Sequence, residues 1–220
     1  MHSTADLRLL RGVFTICSAG LPSGPAPTTS SPVAGKNIVY FDLETQRSGN
    51  DVGGFANKNK MGVSVAVTYS TARGTYEIYP ESEMDKLGEE LVRADLVVGW
   101  NHIYFDYPVL QPYIFHTLAE QTINLDMMAD LETKLGFRLK LDSVASASLG
   151  AGKSADGLDA LKWWQEHKKS GNFEPLRKIA EYCAFDVKVT RLVHEYALQH
   201  GKLKYDDRSG GISEIAVDWA

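Results

Sequence analysis

Four acidic side chains, Asp42, Glu44, Asp106 and Asp186, lie in three short segments, YFDLET, NHIYFD and YCAFD, whose residue types suit the handling of a divalent cation. Asp42 and Glu44 stand two apart in an apolar, β-prone run, and side chains alternate along a strand, so both carboxylates leave the same face. Such a pair beside apolar neighbours repels and loses hydration, and a divalent cation is the usual compensator. An edge strand with its polar face in water would carry the pair without an ion. Asp106 follows the run VVGW through a polar, aromatic loop, and ligands of α/β sheets collect at strand ends. It also suits a helix N-cap, with Pro108 just inside the helix. Tyr182 and Asp186 are four apart on a helical pattern and therefore share a face. If the three segments converge, their carboxylates meet the needs of two-metal phosphodiester hydrolysis. Mg²⁺ takes one or two carboxylates plus water and phosphate oxygens, and two ions about 3.5–4 Å apart clamp the attacking and leaving oxygens.

The elements that must position these groups are legible from hydrophobic periodicity. Asn37 to Leu43, Met61 to Tyr69 and Gly74 to Tyr79 read as three strands, antiparallel neighbours. A helix follows from Ser82 to Ala94, with Ser82 as N-cap and Met84, Leu87, Leu91 and Val92 on its apolar face, and then a buried strand over Asp95 to Trp100. Beyond it the pattern turns helical, near Tyr107 to Leu118, Met127 to Leu135, Leu141 to Leu149, Gly157 to His167 and Phe173 to His200. A short strand fits Thr122 to Leu125. Ile179, Cys183, Val187 and Thr190 form the stripe that packs the last helix on the sheet. Lys202 to Trp219 reads as two strands around the turn-forming DDRSGG. The order implies an α/β fold, a central mixed sheet flanked by helices, with a C-terminal β-hairpin.

At 220 residues, 44% hydrophobic and 23% charged, the chain suits one globular domain. No stretch approaches the roughly 18 apolar residues of a membrane span. Two cysteines, Cys17 and Cys183, make neither a disulfide framework nor a zinc site, so a reducing, cytoplasmic setting is expected. The net charge of −5 opposes wrapping of duplex DNA by bulk electrostatics, yet Lys134 to Arg191 holds 11 Lys and Arg against 7 Asp and Glu. Lys153, Lys162, Lys168, Lys169, Arg177 and Lys178 could track phosphates, although solvated helix faces carry such residues routinely. Cys17 to Lys36, rich in Pro, Ser, Thr, Gly and Ala, reads as a linker, and residues 1–36 as a disordered tail rather than a signal peptide. The expected division is therefore tail 1–36, domain 37–200 and hairpin extension 201–220. Asp126 and Asp142, with Ser143, carry capping signals, while Trp163 and Trp164 point apart, one to the core and one partly outward.

The three segments resemble the exonuclease motifs of the DEDD superfamily in its tyrosine-bearing subclass, as found in the proofreading domains of family-B DNA polymerases. Phe41 to Thr45 matches the first motif, Asn101 to Asp106 the second and Tyr182 to Asp186 the third. Leu139 to Ala145 and Leu149 to Lys153 resemble the stretch before the third motif, so the likeness spans Asn37 to about Tyr196. Nothing resembles a polymerase palm or thumb, and the chain looks closer to bacterial stand-alone or helicase-associated ribonuclease H-like exonucleases.

The resemblance implies a ribonuclease H-like fold and a metal-dependent 3′-5′ exonuclease releasing nucleoside monophosphates, with DNA repair as its setting. It implies that Asp42, Glu44, Asp106 and Asp186 hold two Mg²⁺ or Mn²⁺ ions and that Tyr182 orients the attacking water. Asn101 and Phe105 become candidates for contact with terminal nucleotides, Phe105 being equally suited to the core. A helicase is the implied protein partner. Single-stranded DNA is the expected substrate, although the metal site reads phosphate and leaves RNA and duplex ends open. The competing expectation is a nucleic-acid-binding or helicase-docking module of the same fold that does not cut.

Overall fold

The computed structural model describes residues 35–150, 157–207 and 209–220. The expected tail and linker, apart from Gly35 and Lys36, lie outside the described residues, as do Cys17 and Lys153.

Five strands form one mixed sheet in the order β3-β2-β1-β4-β5. They are β1 Ile38–Thr45, β2 Val63–Ser70, β3 Thr75–Pro80, β4 Leu96–Gly99 and β5 Asn124–Asp126. β1 runs antiparallel to β2 and parallel to β4; β2 and β3 are antiparallel, β4 and β5 parallel. The central strand is β1, and its sequence IVYFDLET explains why: β-branched and aromatic residues fill both faces until Asp42. Ile38 and Tyr40 enter the core on one side of the sheet, Val39, Phe41 and Leu43 the core on the other. Alternation therefore sends Asp42 and Glu44 to the Ile38 side.

The Val39 side is covered by α1 Met84–Arg93, α2 Asp106–Leu110 and α3 Leu118–Gln121. The Ile38 side is covered by α4 Met127–Leu135, α5 Leu141–Leu149, α6 Gly157–Ser170 and α7 Phe173–His200. Helix α7 spans 28 residues, about 42 Å at 1.5 Å rise per residue. Asn172 caps its start by accepting the N–H of Glu174, and Gly201, at φ 63°, ends it. Ile179, Cys183, Val187 and Thr190 are buried, so the expected stripe does face the sheet. β6 Lys202–Asp206 and β7 Ile212–Ala216 form the expected hairpin, which adds Leu203, Tyr205 and Val217 to the same core.

Several local expectations are corrected. The helix expected over Tyr107 to Leu118 stops at Leu110, passes through a single 3₁₀ turn at Gln111–Tyr113 and resumes only at Leu118. Pro112 removes a backbone donor there, and a helix does not continue through it unbroken. Ser82 is not a cap: it lies inside a 3₁₀ turn, Glu81–Glu83, that precedes α1. Val92 sits just off the buried stripe of Met84, Leu87 and Leu91 and is 41% exposed. Asp142 and Ser143 fall inside the first turn of α5, whose cap position is Lys140. Trp164 is buried and Trp163 partly so, as expected.

Candidate active site

The site forms at the carboxyl ends of the parallel strands β1, β4 and β5. On β1, Asp42 and Glu44 lie opposite Val67 and Val65 of β2, and a register shift follows directly after Glu44. From the other side α7 brings Asp186, so that one carboxylate oxygen from each of Asp42, Glu44 and Asp186 falls within 4.8 Å of the others. All three residues are half-buried. The strand and helix meet through a side chain between them, since the Cys183 thiol lies 3.4 Å from the Asp42 carbonyl and 3.5 Å from Asp42 Oδ2.

Asp106 arrives by a different route. β4 ends at Gly99, and a Cβ placed there would lie 2.6 Å from His102 Nδ1, so only glycine admits the imidazole folded back over the strand end. Asn101 then takes a left-handed conformation, φ 66°. The resulting turn is pinned by Asp126, whose Oδ1 accepts the Asn101 N–H at 2.8 Å and whose Oδ2 accepts the Ile103 N–H at 3.1 Å. Asp126 also caps α4 through the Ala129 N–H, as its sequence position suggested. His102 is buried against Asn124 at 3.2 Å and against the Tyr107 ring, and burial holds its pKa down, leaving it neutral. Asp106 is the first residue of α2, not its cap, and it is buried. It stands outside the three-carboxylate group but lines the same cleft of about 320 Å³ with Asp42 and Glu44.

The electrostatics of this cluster point one way. Burial, with the charges of Asp106, Asp186 and Glu44, pushes the Asp42 carboxyl well above its ordinary range. Burial, then Asp186 and Asp106, does the same for Glu44. Asp106 is raised by burial and by Asp126, with the N–H groups of Asp106 and Leu43 pulling the other way. Tyr182 is raised by burial and by Asp186, Glu44 and Asp42, and its hydroxyl hydrogen-bonds Asp186. Like charges gathered in this way are costly alone, and a divalent cation among hard oxygen donors removes the cost. The donor set, carboxylates with no His or thiolate required, fits Mg²⁺ or Mn²⁺.

The structure thus brings Asp42, Glu44 and Asp186 together, places Tyr182 on Asp186, and sets Asp106, Asn101 and Phe105 along the adjoining cleft. Asn101 Oδ1 is enclosed there without a protein partner. Part of the basic helix surface is neutralised: of the expected phosphate-tracking residues Lys162 pairs with Asp159 and Arg177 with Glu174 and Glu181, and nearby Arg191 pairs with Glu195. Sequence reasoning passed over residues 50–60, whose 3₁₀ turns Asn50–Val52 and Phe55–Lys60 carry Phe55 to the cleft wall. It gave Asp126 a cap or supporting role near the cluster without naming the loop amides it holds, because those lie more than twenty residues away.

The RNase_H_2 family model, described as RNase_H superfamily, matches residues 39–198, well over half of the chain. The chain belongs to the RNase H superfamily. The match runs from the second residue of β1 almost to the end of α7, taking in all three carboxylate segments and leaving the β6–β7 hairpin outside. Among solved structures, the family B DNA polymerase from the hyperthermophilic archaeon Pyrobaculum calidifontis is similar with a TM-score of 0.51 and 17% identity. The similarity covers 80% of this chain and 25% of the polymerase, so the chain spans a quarter of that protein's length, and the likeness is one of fold. No curated protein matches the sequence. Among the described residues no helix is long and apolar enough to cross a membrane.

Proposed function

We propose that this RNase H superfamily chain is a metal-dependent 3′-5′ exonuclease that removes terminal nucleotides from single-stranded DNA as monophosphates. The observation that carries the reading is the convergence of Asp42, Glu44 and Asp186 oxygens within 4.8 Å, with Asp106 in the adjoining cleft wall. Mg²⁺ or Mn²⁺ ions held by these four residues would supply the Lewis acidity for in-line attack of water and departure of the 3′ oxygen.

The chain's own groups do the rest. The carboxylates would hold the cations, and the enclosing walls keep the field strong. Tyr182, its hydroxyl held protonated by burial and by the neighbouring carboxylates, donates its one O–H to Asp186 and aligns the attacking water by accepting a hydrogen bond from it; it does not take the proton. Phe105 offers a ring to the terminal base and Asn101 a polar edge beside it, both in the lining of the cleft.

The test is end-resolved digestion. A 5′-labelled single-stranded DNA, its RNA counterpart and an end-less circle are incubated with Mg²⁺, Mn²⁺ or EDTA, with an Asp42→Ala, Asp186→Ala double variant alongside. A metal-dependent ladder shortening from the 3′ end, absent with the variant, is expected. Cutting of the circle would make the protein an endonuclease, and intact substrates under every metal condition would leave a binding module.

A further inference from the structure

Beside the acidic cleft lies a second and larger hollow, about 1040 Å³, bounded by the Phe55–Lys60 turn on one side and the Ile103–Gln111 segment on the other. The two share Phe55, Asn101 and Phe105, so they adjoin. Their linings differ sharply in charge. The cleft is walled by Asp42, Glu44 and Asp106, whereas the hollow is lined by no acid and by two cations, Lys58 and Arg138, in a chain of net charge −5.

The hollow is also where the protein leaves aromatic surface in water. Phe55 is 64% and Tyr104 61% exposed. The Phe55 ring lies 6.4 Å from that of Phe105, which carries the aromatic surface from the hollow into the cleft. The Lys58 ammonium sits 3.8 Å from the Tyr104 ring centroid and donates to the Tyr104 carbonyl at 2.7 Å. One of its three N–H groups is so used, leaving two. Arg138 donates its Nε–H to Glu132 at 3.0 Å, which offsets its charge, so among the described residues Lys58 is the cation of the hollow with no acid partner.

From this juxtaposition of stacking rings, a poised ammonium and an acid-free wall adjoining the carboxylate cleft, we infer that the hollow binds the nucleotides upstream of the 3′ terminus of a single strand. Phe55 stacks the base next to the terminal one and Lys58 holds a phosphate. Aromatic stacking tolerates every base, and a cation on the backbone reads no sequence, so the track is sequence-indifferent. The assignment rests on the nuclease reading for its direction but not for its chemistry, because the hollow would hold a strand whether or not the cleft cuts it.

Two variants of the full chain, Phe55→Ala and Lys58→Gln, separate the cases. Binding of a fluorescein-labelled oligothymidylate is followed by anisotropy in EDTA over a salt series. Hydrolysis in Mn²⁺ is compared between that oligomer and the p-nitrophenyl ester of thymidine 5′-monophosphate, which is too small to reach the hollow. Phe55→Ala is expected to weaken oligomer binding on the order of tenfold. Lys58→Gln is expected to lower the slope of log affinity against log salt by about 0.7. For Lys58→Gln, whose side chain lines the hollow and not the cleft, kcat/KM for the oligomer relative to the ester should fall as the affinity does, while Phe55→Ala is judged on binding. Unchanged binding in both variants, with an unchanged slope and ratio for Lys58→Gln, would overturn the track while leaving any wild-type hydrolysis, and so the nuclease reading, intact. Binding that the variants weaken, in a wild-type protein that cuts neither substrate, would uphold the track and remove the nuclease.

Discussion

The carboxylate of Asp126 holds the backbone of Asn101 at 2.8 Å, across twenty-five residues of sequence, and with it the turn that delivers Asp106 to the cleft. One side chain caps α4, ties down two loop amides and faces the buried His102 at 3.8 Å. Replacing it with alanine leaves three backbone donors without their acceptor. Asp126→Ala should therefore cost about 2–4 kcal/mol in urea unfolding, charge-assisted hydrogen bonds and a lost cap together. Metal-dependent hydrolysis should fall by more than tenfold, and full activity in a destabilised protein would show that the turn does not set Asp106.

Gly99→Ala tests the same loop sterically. The added methyl meets His102 Nδ1 at 2.6 Å, and the buried imidazole has nowhere to retreat. A loss of about 1–3 kcal/mol is expected, the usual cost of overpacking, read from the denaturation midpoint. An unaltered midpoint would mean that the ring swings away freely.

The acidic cluster predicts an inverted response to pH. In the folded chain Asp42 and Glu44 titrate above their ordinary values of 3.8 and 4.5, so between those values and the raised ones the folded state binds more protons than the unfolded. Metal-free protein should thus be most stable on the acid side of this window and lose stability as pH rises through it. Added Mg²⁺ competes with those protons and should raise Tm more at higher pH. Thermal unfolding in EDTA and in Mg²⁺ over a pH series measures both trends, and a metal-free Tm that climbs from mildly acid to neutral pH contradicts them.

Asp42→Asn removes one charge while keeping an oxygen for the Cys183 thiol. In EDTA this variant should be more stable than the parent by roughly 1 kcal/mol or more, since each unit of raised pKa is about 1.4 kcal/mol of unfavourable ionisation. Hydrolysis should vanish with either metal. Lower stability in EDTA would mean that the carboxylate contributes more through its contacts than it loses by repulsion.

Tyr182→Phe separates alignment from proton transfer. The hydroxyl bonds Asp186 and is held well on the protonated side, so its loss should misplace the nucleophile and lower kcat about 10- to 100-fold, with the folded protein little altered. A fall of 10⁴ or more in single-turnover rate would instead assign the proton to Tyr182.

Much of this architecture is legible in the amino-acid sequence. β1 and α7 announce themselves because each keeps one period for its whole length, and that regularity alone placed Asp42 with Glu44 and Tyr182 with Asp186. Segments governed by distant partners were not legible. The 3₁₀ turn at Pro112 broke a helix whose apolar spacing looked continuous, and Asp106 reads as a cap in isolation but is buried by the turn that Asp126 secures. Lys58 and Tyr104, forty-six residues apart, meet only once the β1–β2 connection folds over α2, so the larger hollow had no sequence signature. Charge counts along Lys134 to Arg191 suggested a phosphate-facing half, whereas local pairing already commits Lys134, Arg138, Lys162 and Arg177 to neighbouring acids.

Cys183 touches Asp42 across 141 residues, and the carboxylates that converge beside that contact come from opposite ends of the domain. During translation a ribosome-bound chain exposes Asp42 and Glu44 first and gains Asp186 only when nearly the whole domain has emerged. An unfinished or truncated product accordingly has two acids on a strand and no enclosed cation site. On the proposed reading the cation site is therefore completed only in the step that docks the long helix, and a chain cut short before Asp186 would not hydrolyse.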